Sequence, residues 1–284
     1  MSVLVLGTFD GVHIAHRQLI NEAKKTGKRI IVCTFSKPFA NSPVLLSPQE
    51  KISLLKQQGV DEVFMQDPES VKNIMPEEYI KSLVEKFKPK YIVTGFNHRF
   101  GKNASGTLAT LSFLGKKYGF ILITVPPVSV EGQLVSSTHI RSLLLNGKIE
   151  SANLLLDRYY QIQGKVVKGK QIGTEIGFPT ANVEISDNKL IPQCAVYATL
   201  VKLNNRLYKG MTNIGFNETV SENNSLTVET HILGFDGDVY GKNIEILFLK
   251  KVRDDKKFES LEDLKSQLSD DALLINAYID TIKK

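Results

Sequence analysis

The stretch Gly7-Thr8-Phe9-Asp10-Gly11-Val12-His13-Ile14-Ala15-His16 limits what this chain can fold into more than any other. It follows the apolar run Val3-Leu4-Val5-Leu6 and precedes the helical pattern Arg17-Gln18-Leu19-Ile20-Asn21-Glu22-Ala23. The order is therefore strand, tight turn, helix. The two glycines let the backbone come close to a ligand. The N–H groups at a helix start, together with the helix dipole, form an anion site. His13 and His16 lie one helical turn apart and point into that site. Imidazole donors placed there hold the oxygens of a phosphoryl group under attack, worth ~3 kcal/mol per donor in the transition state. Two other readings carry less weight. Zinc ligation lacks a third Cys, His or carboxylate at a usual spacing. A purely structural pair leaves unexplained why both histidines flank a glycine-rich turn. The chemistry expected is phosphate handling without a covalent nucleophile.

The residues up to about 157 alternate strand and helix. Arg29–Phe35, Val60–Met65, Lys90–Thr94 and Phe120–Val125 read as strands, rich in β-branched residues. Ser47-Pro48-Gln49-Glu50 is a helix start with Ser as N-cap, Pro at the first position and Glu at the third. Met75-Pro76-Glu77-Glu78 opens another helix, and Leu108–Tyr118 is a third. Such alternation predicts a parallel sheet with right-handed crossovers, whose ligands bind beyond the carboxyl ends of the strands. Two further segments fall near such ends. Thr94–Gly101 is a loop rich in polar donors, including Asn97. Ser136-Ser137-Thr138 caps a helix that carries Arg141 one turn in. With Gly7, Thr8, Phe9, Asp10 and Gly11 they make up a phosphate cradle, a nucleotide loop and a second anion-binding helix end.

The character of the sequence changes at about Asp157–Gln161, which predicts domains at 1–157 and 158–284. From there to about Lys251 come short β-rich segments, with turns at Asn204-Asn205 and Asp236-Gly237-Asp238. They predict a small antiparallel barrel, closed by a helix capped at Ser260. Within it, Gly177-Phe178-Pro179-Thr180-Ala181-Asn182 does not have the spacing of a Walker A loop, and glycine bulges in a barrel explain its glycines equally well. Glu229 stands in the strand alternation Thr227–His231, where a lone glutamate is usually surface.

Composition narrows the classes. The 284 residues are 42% hydrophobic, enough for two cores. The longest apolar run, Phe120–Val128, is broken by Thr124 and by Pro126-Pro127, so no membrane span is expected. No basic leader precedes Gly7, so no signal peptide is expected. Cys33 and Cys194 are too few for a disulfide framework; they read as buried strand residues in a reducing cytoplasm rather than as catalytic thiols. The net charge is +6, but the lysines are dispersed and no RNP-like or zinc-finger pattern accompanies them. Small phosphorylated ligands therefore fit better than a nucleic-acid partner.

The motifs GTFDGVHIAH, GFNHRFG, SSTHIR, GFPTAN, NIG and VETHILGF-DGDVYGK occur in this order, and the chain resembles the prokaryotic bifunctional riboflavin kinase/FMN adenylyltransferase (FAD synthetase) family over nearly its whole length. The resemblance implies a Rossmann-like nucleotidyltransferase domain joining FMN and ATP to give FAD and pyrophosphate. His13 and His16 would bind the triphosphate and the developing charge, Asn97 the nucleotide and metal-phosphate group, and Ser137, Thr138 and Arg141 further phosphates. It implies, in the second half, a riboflavin kinase barrel with Glu229 as the base and Thr180 and Asn182 on Mg²⁺ and the ATP phosphates. Gly177 would lie beside those phosphates and Arg253 near the flavin. Riboflavin, FMN and ATP are the implied substrates. The chain departs from the family pattern at several points. Ala15 replaces a glycine, and Phe35-Ser36-Lys37-Pro38 stands where Pro-His-Pro is usual. Thr174, Ala195 and Asn217-Glu218-Thr219 replace an arginine, a glycine and Arg-Pro-Thr. The kinase-half departures keep two alternatives open: an FAD synthetase whose barrel has a weakened or inactive kinase, and a non-catalytic flavin-binding regulatory module.

Overall fold

The computed structural model describes residues 1–39, 42–169, 172–186, 188–216 and 226–282. Asn217, Glu218 and Thr219 lie outside the described residues, as does the side chain of Thr174. The chain divides into two compact units, Met1–His139 and Ile140–Lys284.

In the first unit the order is β1 (Ser2–Leu6), α1 (Ile14–Lys24), β2 (Arg29–Phe35), α2 (Pro48–Gln57), β3 (Glu62–Gln66), α3 (Pro68–Val71), α4 (Pro76–Phe87), β4 (Pro89–Gly95), α5 (Leu108–Tyr118) and β5 (Ile121–Val125). These strands form one sheet in the order β3-β2-β1-β4-β5, all neighbours parallel. Alternation on β1 divides the core. Val3 and Val5 pack with Leu19, Ile20 and Ala23 of α1, while Leu4 and Leu6 pack with Tyr79, Ile80 and Leu83 of α4 and with Leu111 and Leu114 of α5. A strand buried on both faces must be apolar throughout, which is why residues 3–6 form a continuous run. The expected start of α2 is a complete capping box: Glu50 N–H donates to Ser47 Oγ at 3.2 Å and Ser47 N–H to Glu50 Oε2 at 2.6 Å. A two-strand hairpin, β6 (Ser129–Val130) and β7 (Gln133–Leu134), was not legible as strand; it turns on Glu131 and Gly132, both at positive φ. Helix α6 (Ser137–Leu145) follows, with Ser136 Oγ accepting from His139 N–H.

In the second unit come α7 (Ile149–Leu156), β8 (Tyr160–Val167), α8 (Ile172–Glu175), β9 (Ala181–Glu184), β10 (Ala195–Leu203), β11 (Arg206–Phe216), β12 (Leu226–Ile232), β13 (Asn243–Asp254) and α9 (Leu261–Ile282). The six strands close into a barrel in the order β10-β11-β12-β9-β8-β13. The β10–β11 hairpin turns on Asn204 and Asn205, at φ 48° and 63°, as a two-residue loop requires. Inside the barrel the fully buried hydroxyls of Thr199, Thr212 and Thr230 form a chain with 2.8 Å links, so none of the three is left unsatisfied. Among the described residues no helix is long and apolar enough to cross a membrane. Cys33 lies buried on β2 and burial pushes its thiol up to about 12. Cys194 corrects the expectation of a strand cysteine: it sits one residue before β10 and is half-buried.

Helix α9 packs Ile275 and Ile279 against Val196, Ala198, Met211 and Leu249 of the barrel. A buried ion pair fixes it there. Arg253 Nε on β13 donates to both oxygens of Asp271, at 2.9 and 3.2 Å, and Asp271 is 1% exposed. Replacing Asp271 with Ala leaves a largely buried guanidinium uncompensated. We expect the variant to lose about 3 kcal/mol of stability, read as a lower midpoint of the barrel's transition in urea.

Candidate active sites

In the first unit the strand order reverses between β1 and β4, and the loops leaving these two strands open the crevice where doubly wound sheets take ligands. The loop after β1 is the glycine turn. Helix α1 starts at Ile14, three residues earlier than the apolar pattern alone indicates, because His13 is its N-cap: His13 Nδ1 accepts from His16 N–H at 3.3 Å. An Nδ1 that accepts is unprotonated, so in the neutral ring the proton sits on Nε2. His13 Nε2 lies 3.4 Å from Ser137 Oγ, and Ser137 Oγ donates to Asp10 O at 2.7 Å. A relay of donors thus runs from the start of α1 to the start of α6. The rings of His13 and His16 stack with centroids 3.6 Å apart and an angle of 14° between planes, with Phe9 behind His16 at 4.8 Å. With Nδ1 accepting from His16 N–H and Nε2 on Ser137 Oγ, the His13 ring does not offer a lone pair to a metal ion, and the near-parallel stack places the His16 ring beside it.

The turn itself is strained. Phe9 and Val12 have positive φ, 49° and 41°, which is rare for residues other than glycine and more so for a β-branched one. Both side chains are buried in the core. The Asp10 carboxylate, 6% exposed, accepts from Leu45 N–H at 3.0 Å and from Leu46 N–H at 3.2 Å, which straps the turn to the segment ahead of α2. Gly7 and Gly11 flank this geometry, and Thr8 is exposed at its rim. Asn97 is exposed on the loop after β4. Ser137 is drawn to His13, Thr138 is exposed beside it, and Arg141 belongs to the second unit.

In the second unit, β9 joins β12 by two residue pairs, Glu229 with Asn182 and Thr230 with Ala181. On the other side of β12, Glu229 pairs with Asn213 of β11. Directly paired residues share a face, so Asn182, Glu229 and Asn213 form one row across three strands, while Thr230 points inward. Thr180 Oγ1 donates to Glu229 Oε2 at 3.2 Å. His231 Nδ1 lies 2.8 Å from Pro179 O and its ring meets Phe178 edge-on, which holds the Gly177–Asn182 segment against β12. Gly169 packs flat on the Asn182 amide; a Cβ there would lie 2.1 Å from Nδ2. Gly169 and Gly173, whose Cβ would lie 2.3 Å from Phe178 O, are therefore close-approach positions beyond the strand bulges that the sequence suggests, whereas Gly177 stands in open space at a φ of 87°. Arg253 stands opposite Val196, engaged by Asp271.

Sequence reasoning missed Lys51, Asn213 and Gly169. For Lys51 a signal existed: it lies one turn from the buried Leu55, on the inward face of α2. Asn213 was visible only as part of Asn-Ile-Gly, with nothing to say which strand it faces.

His98, on the loop after β4, stacks on Phe100 with centroids 5.7 Å apart. Its Nε2 is buried and has no hydrogen-bond partner among the described residues. Burial pushes the imidazole down to about 4, against about 6.5 in an unfolded chain. Between these values the unfolded chain takes up a proton that the native protein refuses, so stability is complete above pH ~6.5 and falls as the pH drops towards 4. Replacing His98 with Phe should shrink the loss of denaturation midpoint between pH 7 and pH 5; an unchanged loss would assign it to other groups.

Comparison with known proteins agrees with this division. Residues 1–139 match the family model described as FAD synthetase, and residues 156–279 the one described as riboflavin kinase. The bifunctional riboflavin kinase/FMN adenylyltransferase of Buchnera aphidicola (Acyrthosiphon pisum) is 33% identical over 99% of this chain and 95% of its own length. That of Bacillus subtilis is 31% identical over 100% of this chain and 94% of its own. A solved structure described as a macrolide-efflux protein from Streptococcus pneumoniae superposes with a TM-score of 0.87 at 32% identity, over 97% of this chain and 93% of that one. Both catalytic domains are thus present in sequence and in fold, and the chain belongs to the bifunctional riboflavin kinase/FMN adenylyltransferase family.

Proposed function

We propose that the protein phosphorylates riboflavin to FMN with ATP and then adenylylates FMN with a second ATP to give FAD and pyrophosphate. The observation that carries this is the presence, in one chain, of a stacked histidine pair at a helix start and a Thr180–Glu229 couple on a barrel. Adenylyl transfer is assigned to residues 1–157. A phosphate oxygen of FMN attacks the α-phosphorus of ATP, a new P–O bond forms, and the bond to pyrophosphate breaks. The nucleophile is already anionic at neutral pH, so the site needs no base. His13 and His16 stabilise the charge that develops on the phosphoryl oxygens. The backbone of Gly7–Gly11 cradles the triphosphate, Asn97 contacts the nucleotide, and Ser137, Thr138 and Arg141 hold phosphates from the start of α6.

Riboflavin phosphorylation is assigned to residues 158–284. An alcohol is a weak nucleophile, so Glu229 takes the proton of the ribityl 5′-hydroxyl as its oxygen attacks the γ-phosphorus and ADP leaves. Thr180 orients that carboxylate. Its hydroxyl proton is committed to Glu229, which leaves its oxygen lone pairs for a cation. With the Asn182 amide this is a set of hard oxygen donors, and among the described residues no cluster of three or more acidic, His or Cys ligands exists. Such a sparse set fits Mg²⁺, which keeps waters and takes most of its ligands from substrate phosphates. When bound, the ion neutralises charge on the transferring phosphates. Gly177 gives the backbone access to them, and Arg253, its Nε held by Asp271, lies near the flavin. The two free cysteines suit a reducing cytoplasm.

Incubation with riboflavin, ATP and Mg²⁺ should yield FMN and then FAD. FAD from supplied FMN, with no FMN from riboflavin, would instead support the weakened-kinase alternative. His16→Ala should cut FAD formation by about 100-fold or more and spare FMN formation. Glu229→Gln should do the reverse, slowing FMN formation by about 100-fold or more. Gly169→Ala, by displacing the Asn182 amide, should cost about 100-fold in FMN formation alone.

A further inference from the structure

We infer that Lys51 is a positioning residue for adenylyl transfer, holding the Thr8–Phe9 peptide so that its N–H faces the phosphates. The inference rests on the assignment of the histidine turn to that reaction. Lys51 is a buried lysine, 5% exposed, on the first turn of α2. Its Nζ donates to Thr8 O at 3.0 Å and to Phe35 O at 2.8 Å. Thr34 Oγ1 donates to the same Thr8 oxygen at 2.6 Å. That carbonyl is therefore fixed by two donors, one of them charged, at the ends of β1 and β2.

In a trans peptide the C=O of one residue and the N–H of the next point in opposite directions. Fixing the Thr8 oxygen on Lys51 and Thr34 fixes the Phe9 N–H on the other side. Among the described residues, Phe9 N–H donates to no protein group. Rotation of this peptide would bring its oxygen round to the phosphates, replacing a donor with a repelling acceptor. The Phe9 backbone is already at an unfavourable φ of 49°, so the peptide needs an external restraint. Burial of an ammonium is costly unless it is fully engaged, and two backbone carbonyls at the mouth of a phosphate turn are an economical way to engage it. Its charge lies behind the turn, where a polyphosphate gains from it without contact. Helix α2 is stiffened for the task by its capping box, and Asp10 ties the same segment to the turn from the opposite side.

The test uses the full chain with Lys51→Met and Lys51→Arg. Steady-state FAD formation from FMN and ATP is measured with FMN formation from riboflavin as the second readout, and urea midpoints report folding. We expect Lys51→Met to lower kcat for FAD formation at least 30-fold with a change in the ATP KM of less than fivefold. FMN formation should stay within twofold, and Lys51→Arg should recover most of kcat. Loss of kcat below threefold in Lys51→Met overturns the inference. So does a parallel fall of both activities with the urea midpoint, or an arginine variant as poor as the methionine one. If the unaltered protein makes no FAD at all, the assignment of the turn to adenylyl transfer fails together with the inference. If the unaltered protein makes FAD and Lys51→Met does so within threefold of its kcat, only the inference fails.

Discussion

The first site depends on a balance between backbone strain and burial in one turn. Holding a residue other than glycine at positive φ costs about 1–3 kcal/mol, and the turn does so twice, at Phe9 and Val12. Burying those two side chains contributes about 1.5–3 kcal/mol each, and both are at or near zero exposure. The core therefore holds the turn in a conformation it would not adopt alone. The placing of the two histidines follows from this. His13 can be the cap of α1 only because Val12 bends the chain into the helix, and the imidazole pair stacks because α1 starts where it does. A donor array set in advance by packing needs little rearrangement when charge develops on the phosphate.

The second site is built by another rule. Among the described residues no strained turn marks it. Strand register brings Asn182, Glu229 and Asn213 to one face, and a threonine hydroxyl orients the carboxylate. In the function proposed above, the scaffold supplies a general base here, because the nucleophile is an alcohol. In the first site, on the same proposal, it supplies donors only, because the nucleophile is a phosphate. The two solutions fit the two acceptors.

What was legible in the sequence was local. The glycine turn, the Ser47 capping box and the Asn204-Asn205 hairpin each involve residues a few positions apart, where spacing determines geometry. The alternation of strands and helices gave the parallel sheet, and the short β segments gave the barrel. What was not legible joins distant residues. Lys51 reaches a carbonyl 43 positions away, and Thr180 meets Glu229 across 49. Strand β9 escaped notice because Pro179 precedes it and only four residues follow in strand. The burial of the His98 Nε2 could not be read either, since it comes from a stack with Phe100, itself capped by Gly106, where a Cβ would lie 2.7 Å from the ring.

The brevity of the β9–β12 seam has a further consequence. The barrel is closed on that side by two residue pairs, whereas β10 and β11 are zipped along nine. Local opening free energies follow such differences, so the seam is where backbone amides should exchange with solvent first. The Glu229 carboxylate and the Thr180 hydroxyl bound to it sit on either side of it. A breathing motion too small to unfold the barrel would separate them, so if the proposed roles of Glu229 and Thr180 hold, phosphorylation would fail below the melting temperature of the domain.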